Sequence, residues 1–152
     1  MRFEDDRGYL EIIHETKEVV VKRSFSRRNV FRGMHYQAKP YQQTKLIRVI
    51  RGSIIDFQLF PELSTHRASY IHIKENPDWI NIDSSVAHGF LALEDTLFEY
   101  ICIGAYNEDY EECYNIAEPV KKYFSIENLI LSNKDRNGTL LDIKSFKQIN
   151  VE

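Results

Sequence analysis

Long apolar runs are missing from this sequence: none approaches the roughly 18–20 consecutive apolar residues of a membrane-spanning helix. The opening stretch, MRFEDDRGYL, holds no apolar h-region, so no secretory signal is expected and the cytoplasm is the expected location. Cysteine is scarce. Cys102 and Cys113 are the only two, and their spacing suits neither a disulfide framework nor a thiolate metal knuckle, which fits reduced thiols in the cytosol. Positive charge is not in excess either. Against 23 acidic residues there are 20 Lys and Arg, a formal charge of −3, so binding of nucleic acid by bulk electrostatics is not expected. No internal repeat, low-complexity run or linker interrupts the chain.

What is present is core-forming material. The 152 residues are 43% hydrophobic and 12% aromatic, enough for a single domain, expected over 1–152. The dominant period is that of strands. Segments 17–25, 44–60, 68–74, 78–83, 89–95 and 97–106 are short, rich in β-branched and aromatic residues, and punctuated by Gly, Pro, Asn and Asp. In YIHIK the isoleucines face one way and Tyr70, His72 and Lys74 the other, as in a half-buried strand. RGS at 51–53 reads as a turn or bulge within a long hairpin. YNEDYEECYNIAEPVKKYF is acidic and broken by Pro119, and the tail from about residue 124 is expected to be irregular or briefly helical. Many short strands with turns between them predict an all-β fold, an antiparallel barrel or double-sheet jelly roll.

In such a fold the site lies in the barrel mouth, so polar residues on strands are the candidates. Of five histidines, His14, His66 and His72 fall on polar surroundings, whereas His35 in RGMHYQ and His88 in VAHGFLAL are each tied to a Gly and an aromatic-rich run. A lone strand histidine is more often structural than functional; two such motifs in one small barrel shift that balance. A metal site needs at least three convergent ligands, usually beginning with two His one residue apart. Gln37 stands where the second would be, so no metal and no cofactor are expected. Proton transfer fits better: a neutral His needs a carboxylate to fix its tautomer, such as Asp56 or Asp135. A cation such as Lys45 would hold an enolate oxygen, and a phenol such as Tyr100 would return a proton. Taken singly, Lys45 reads as a surface cation and Tyr100 as a lining aromatic. Lys22, Arg23, Arg27, Arg28 and Arg32 place five cations in eleven residues, a solvated face or a grip for a diphosphate.

The motifs RGMHYQ, TKLIRVIRGSIIDFQL, VAHGFLALED, FEY and LSNKDR follow one another in the order and approximate spacing of the dTDP-4-dehydrorhamnose 3,5-epimerase family, which this chain resembles from about Arg7 to Arg136. The resemblance implies a metal-free, cupin-like jelly-roll barrel working as a homodimer on a nucleotide-diphosphate sugar. It implies that His35, paired with Asp135, abstracts protons from carbons 3 and 5, which are acidic because they flank the carbon-4 ketone. Lys45 would stabilise the enolate and Tyr100 would reprotonate from the opposite face. Arg32 and His88 would surround the diphosphate and sugar, and Arg7 the nucleotide; Arg28, from the basic cluster, and Gln37 are further candidates for binding the substrate. The expected context is dTDP-L-rhamnose synthesis for a surface polysaccharide. The alternatives are a single-carbon epimerase, a ketoisomerase, a non-catalytic sugar-nucleotide-binding barrel, or a metal-dependent cupin.

Several positions depart from the family pattern. Members commonly begin further upstream, with a strand that takes part in dimer exchange. RGFFxE reads RGYLEI here, leaving Ile12 where a carboxylate is expected. Two amide residues that face the thymine fall near Val20 and Lys22, the second acid of DxxxD is Phe60, and WNDP is replaced by YNIAEP. These changes concern the nucleotide base and the number of carbons inverted, and leave the proposed base, acid and enolate cation in place.

Overall fold

A computed structural model describes residues 1–150 of the chain; the last two positions of the expected domain, 151 and 152, lie outside the described residues. Among the described residues, thirteen strands form two sheets. The first runs in the order β1 (Arg2–Asp5), β2 (Gly8–Glu15), β3 (Val19–Ser26), β10 (Thr96–Ile103), β5 (Thr44–Arg51), β8 (Ile80–Ile82). The second runs β12 (Thr139–Leu140), β11 (Glu111–Asn115), β4 (Phe31–Gln37), β9 (Ala87–Ala92), β6 (Ser53–Leu59), β7 (Arg67–Lys74), β13 (Ser145–Gln148). All pairings are antiparallel except the two at the edges of the second sheet, β11 with β12 and β7 with β13. Two short helices, α1 (Ala117–Phe124) and α2 (Asn133–Arg136), complete a cupin-like jelly-roll barrel. Among the described residues no helix is long and apolar enough to cross a membrane.

Two apolar layers hold the sheets in place. Between them, Ile47 and Val49 of β5, Ile54 of β6, Ile71 and Ile73 of β7, Phe90 of β9 and Phe98 of β10 form one buried cluster. The outer face of the second sheet supplies another: Phe31, Ile55, Phe57, Leu59 and Leu91 pack under Ile116, Val120, Phe124, Ile143 and Phe146. This second layer explains why SIIDFQL reads as an almost continuous apolar run. β6 is covered on both faces, so both parities of the strand are apolar. The tail is largely irregular with one brief helix, α2, as expected, and its Ile143 and Phe146 pack on this layer.

Two local expectations change. Residues 51–53 do not turn a hairpin, because β5 and β6 belong to different sheets and the chain crosses between them at Gly52. Pro119 does not break a helix. It occupies the third position of α1, inside the first turn, where no intrahelical N–H bond is lost. The alternation read in YIHIK holds: Ile71 and Ile73 are buried, and His72 and Lys74 are exposed.

Candidate active site

The opposed glycines of the two histidine motifs build the centre of the site. β4 and β9 run antiparallel with His35 opposite His88, and the register slips between Arg32 and His35. A Cβ on Gly33 would lie 2.7 Å from Gly89 Cα, and one on Gly89 would lie 2.7 Å from Arg32 O. Only two glycines allow this approach, and Gly33 also has a φ of 113°, which disfavours any side chain. The slip turns the Gly33 N–H from the ladder to Asp135 Oδ2, at 3.0 Å.

Asp135 sits on α2, whose first turn is capped by the Ser132 hydroxyl accepting from the Asp135 N–H at 3.1 Å. Its carboxylate is 1% exposed, and Oδ1 lies 2.6 Å from His35 Nε2. Because a carboxylate accepts, Nε2 carries the proton and Nδ1 is the basic nitrogen. Burial would raise the Asp135 pKa; the His35 hydrogen bond and charge, the Gly33 N–H and the Cys113 thiol together outweigh it and hold the carboxyl below its usual range. The second carboxylate candidate serves the second histidine. Asp56, fully buried on β6, places Oδ1 2.5 Å from His88 Nε2. The chain therefore has two His–Asp pairs side by side, where the sequence reading sought one.

His35, Asp135 and His88 line a cavity of about 580 Å³ between the sheets, a size that suits a nucleotide sugar, with Asp56 behind His88. Arg7, Arg32, His35, Gln37, Lys45, His88, Tyr100 and Asp135 all border it. Lys45 reaches it from β5 and is half-buried. Burial lowers its pKa, and the neighbouring charge of Lys22 adds to that. Tyr100 reaches it from β10, where burial pushes the phenol well above its ordinary range, Arg32 and Arg7 opposing. Arg32 donates to Ser26 Oγ at 2.8 Å and to the carbonyls of Phe25 at 3.2 Å and Tyr9 at 3.4 Å. Desolvation, with Arg7 close by, brings its pKa down to about 10, still charged at neutral pH. Gln37 accepts from the Asn107 N–H at 3.2 Å, while its Nε2 is buried without a hydrogen-bond partner.

Arg28 is the exception. It is exposed in the turn after β3, its N–H bound to Asp95 Oδ1 at 2.9 Å, and it does not border the cavity. The basic cluster as a whole is divided by strand alternation. Lys22 lines the cavity, Arg23 faces the other way to bind Glu99, and Arg27 and Arg28 are exposed. Period two along β3 would have separated Lys22 from Arg23 in the sequence. The sequence reading gave no place in the site to two further residues. Cys113 stands opposite His35 on β11 with its Sγ 3.6 Å from Asp135 Oδ1. Burial and the adjacent carboxylate push its thiol pKa up to about 12. Lys134, paired with Glu111, also borders the cavity. Of the departures from the family pattern, Ile12, Val20 and Lys22 line the cavity, and Phe60 does not.

A cupin-like barrel gathers a His–carboxylate pair, a desolvated lysine, a buried phenol and two arginines around one cavity, an arrangement chemically able to move protons beside an anionic ligand. Comparison with known proteins makes the class specific. Residues 2–142 match the family model described as dTDP-4-dehydrorhamnose 3,5-epimerase, and the chain belongs to that family of isomerases. The Methanothermobacter thermautotrophicus dTDP-4-dehydrorhamnose 3,5-epimerase is 33% identical, the match covering 89% of this chain and 83% of that one. Among solved structures, the Bacillus anthracis dTDP-4-dehydrorhamnose 3,5-epimerase, with TDP and PPi bound, is 26% identical. It superposes with a TM-score of 0.69 over 93% of this chain and 90% of its own. A 3'-monoepimerase from Streptomyces bikiniensis, in complex with dTDP-quinovose, shares the fold at 21% identity and a TM-score of 0.67, over 79% of this chain. The present chain spans 64% of that protein's length.

Proposed function

We propose that this protein is a 3,5-epimerase acting on dTDP-4-dehydro-6-deoxyglucose to give dTDP-4-dehydro-L-rhamnose, in the cytoplasm, for a surface polysaccharide. The observation that carries the reading is the convergence of His35–Asp135, Lys45 and Tyr100 on one cavity. In this reading the Nδ1 of His35 removes the proton at carbon 3 or 5. Asp135 keeps the proton on Nε2 and stabilises the imidazolium that forms. Lys45 holds the enolate oxygen. An ammonium stripped of part of its hydration gains most from an oxyanion, which agrees with its lowered pKa. Tyr100, kept neutral by burial, donates to the opposite face. Arg32, Arg7 and Lys22 take the diphosphate, and His88, held by Asp56, and Gln37 take the sugar side.

The chain acts as one domain and as a homodimer. Since Phe98, Tyr100 and Cys102 of β10 border the cavity, alternation turns Leu97, Glu99, Ile101 and Ile103 to the opposite face of the first sheet. There Glu99 bridges Arg23 and Arg48, each at 2.7 Å, with Trp79 against the Arg48 guanidinium and Ile103 exposed on the same strand. A partly apolar sheet face of this kind suits a second copy. Light scattering tests the dimer. His35→Ala tests the chemistry: conversion should fall on the order of 10²–10⁴-fold, the worth of a general base, and a loss below fivefold would contradict the assignment.

A further inference from the structure

His35, Cys113 and Asp135 come from β4, β11 and α2, and the fold brings a nitrogen, a sulfur and an oxygen donor within 4.8 Å of one another. The β4–β11 ladder pairs Cys113 directly with His35. Gly138, just after α2, packs on the thiol so closely that a Cβ there would lie 3.1 Å from Sγ. The thiol is thus held beside the carboxylate. Tetrahedral zinc, with arms of about 2.0–2.1 Å to nitrogen and oxygen and about 2.3 Å to sulfur, sets oxygen and sulfur about 3.6 Å apart. It sets nitrogen and oxygen about 3.4 Å apart. Here Sγ and Oδ1 are separated by 3.6 Å, already the required distance, and Nε2 and Oδ1 by 2.6 Å, so that pair needs to open by less than an ångström.

We propose that these three side chains form an inhibitory site for a thiophilic divalent cation of the zinc or cadmium type. The fourth position takes water from the cavity that His35 and Asp135 border. The cation replaces the proton shared by Nε2 and Oδ1. That proton moves to Nδ1, the thiol proton leaves to solvent, and sulfur, Nε2 and Oδ1 bind the metal. With its proton on Nδ1 the imidazole has no free lone pair, so it is no longer a base. The inhibition rests on the reading of His35 as the base; the binding does not.

The test titrates the whole protein with cadmium and follows the ultraviolet thiolate-to-cadmium charge-transfer band, then displaces cadmium with zinc. The wild type should show one equivalent of band. Cys113→Ala should abolish it and weaken zinc by at least the 10–100-fold that loss of an outer partner costs. Sugar exchange, measured for each protein against its own metal-free rate, should be blocked by zinc in the wild type, restored by a chelator, and blocked far less in Cys113→Ala. Absence of the band, equal zinc affinity in the two proteins, or undiminished exchange at saturating metal would each overturn the proposal. Should the protein show no epimerase activity at all, the band and its dependence on Cys113 still decide whether the site exists.

Discussion

Replacing Asp135 by Asn changes one oxygen into an NH₂ group and leaves the shape of the side chain intact. The carboxylate has two acceptor faces in use, Oδ2 for the Gly33 N–H at 3.0 Å and Oδ1 for His35 Nε2 at 2.6 Å. An amide can accept on only one of them. If its oxygen stays with Gly33, its NH₂ meets Nε2, and the imidazole adopts the other tautomer to accept that bond. The basic nitrogen then faces the amide instead of the cavity. If the amide flips, Gly33 loses its partner in a buried place, at a cost of about 1–3 kcal/mol. The first outcome removes a carboxylate from beside a forming imidazolium, a change of the kind that costs on the order of 10⁴ in the serine-protease triad. A loss of 10²–10⁴ in exchange rate is expected, with the fold retained. The assay is deuterium incorporation from D₂O into the sugar, followed by NMR across pH 5–9. A loss under threefold would refute the dyad.

Tyr100→Phe removes the acid but not the base, so return of the abstracted proton to its original face survives; inversion should fall at least tenfold more than exchange, by NMR of the product mixture. Glu99→Gln takes the shared charge from Arg23 and Arg48 and should destabilise by about 1–3 kcal/mol in denaturant titration, with little change in cavity chemistry. Burial raises the Glu99 pKa, but the two arginines prevail and hold it below the usual range. Its stabilisation is accordingly present above the unfolded glutamate pKa of about 4.3 and is lost as pH falls through the lower folded value. The stability of wild type and variant should thus converge in acid. Gly89→Ala would force a methyl to 2.7 Å from Arg32 O and 2.8 Å from Met34 Sδ. A loss of about 1–3 kcal/mol is expected, together with reduced activity, because the same contact sets the spacing of the histidine strands.

Much of the site was legible because its residues carry local signatures. RGMH and AHGF each mark a histidine beside a glycine, and the pairing of those glycines shows why: two backbones meet there and leave no space for a side chain. Asp135 could be named by resemblance, but composition alone left it level with Asp56, and both turned out to be used, each on its own histidine. Cys113 was invisible, since its place beside Asp135 depends on a ladder contact between β4 and β11 that no spacing encodes. Arg28 was included because five cations fall close in sequence, although alternation and the turn after β3 scatter them. The strands of the barrel could be read from β-branched runs, yet the crossing at Gly52 could not, because a turn between strands and a passage between sheets look alike in sequence. What the tail packs against was not legible for a related reason. Phe124, Ile143 and Phe146 are too widely spaced to show a period, and they find each other only against the outer face of β6.

The central claim is that His35 abstracts protons on both sides of a ketone within one cavity. Its most direct test is incubation of the wild-type protein with dTDP-4-dehydro-6-deoxyglucose in D₂O, reading deuterium at each carbon by NMR. The account predicts deuterium at carbons 3 and 5 and none elsewhere on the ring, with both positions silent in His35→Ala. Absence of exchange at both carbons, or exchange undiminished in His35→Ala, would contradict it.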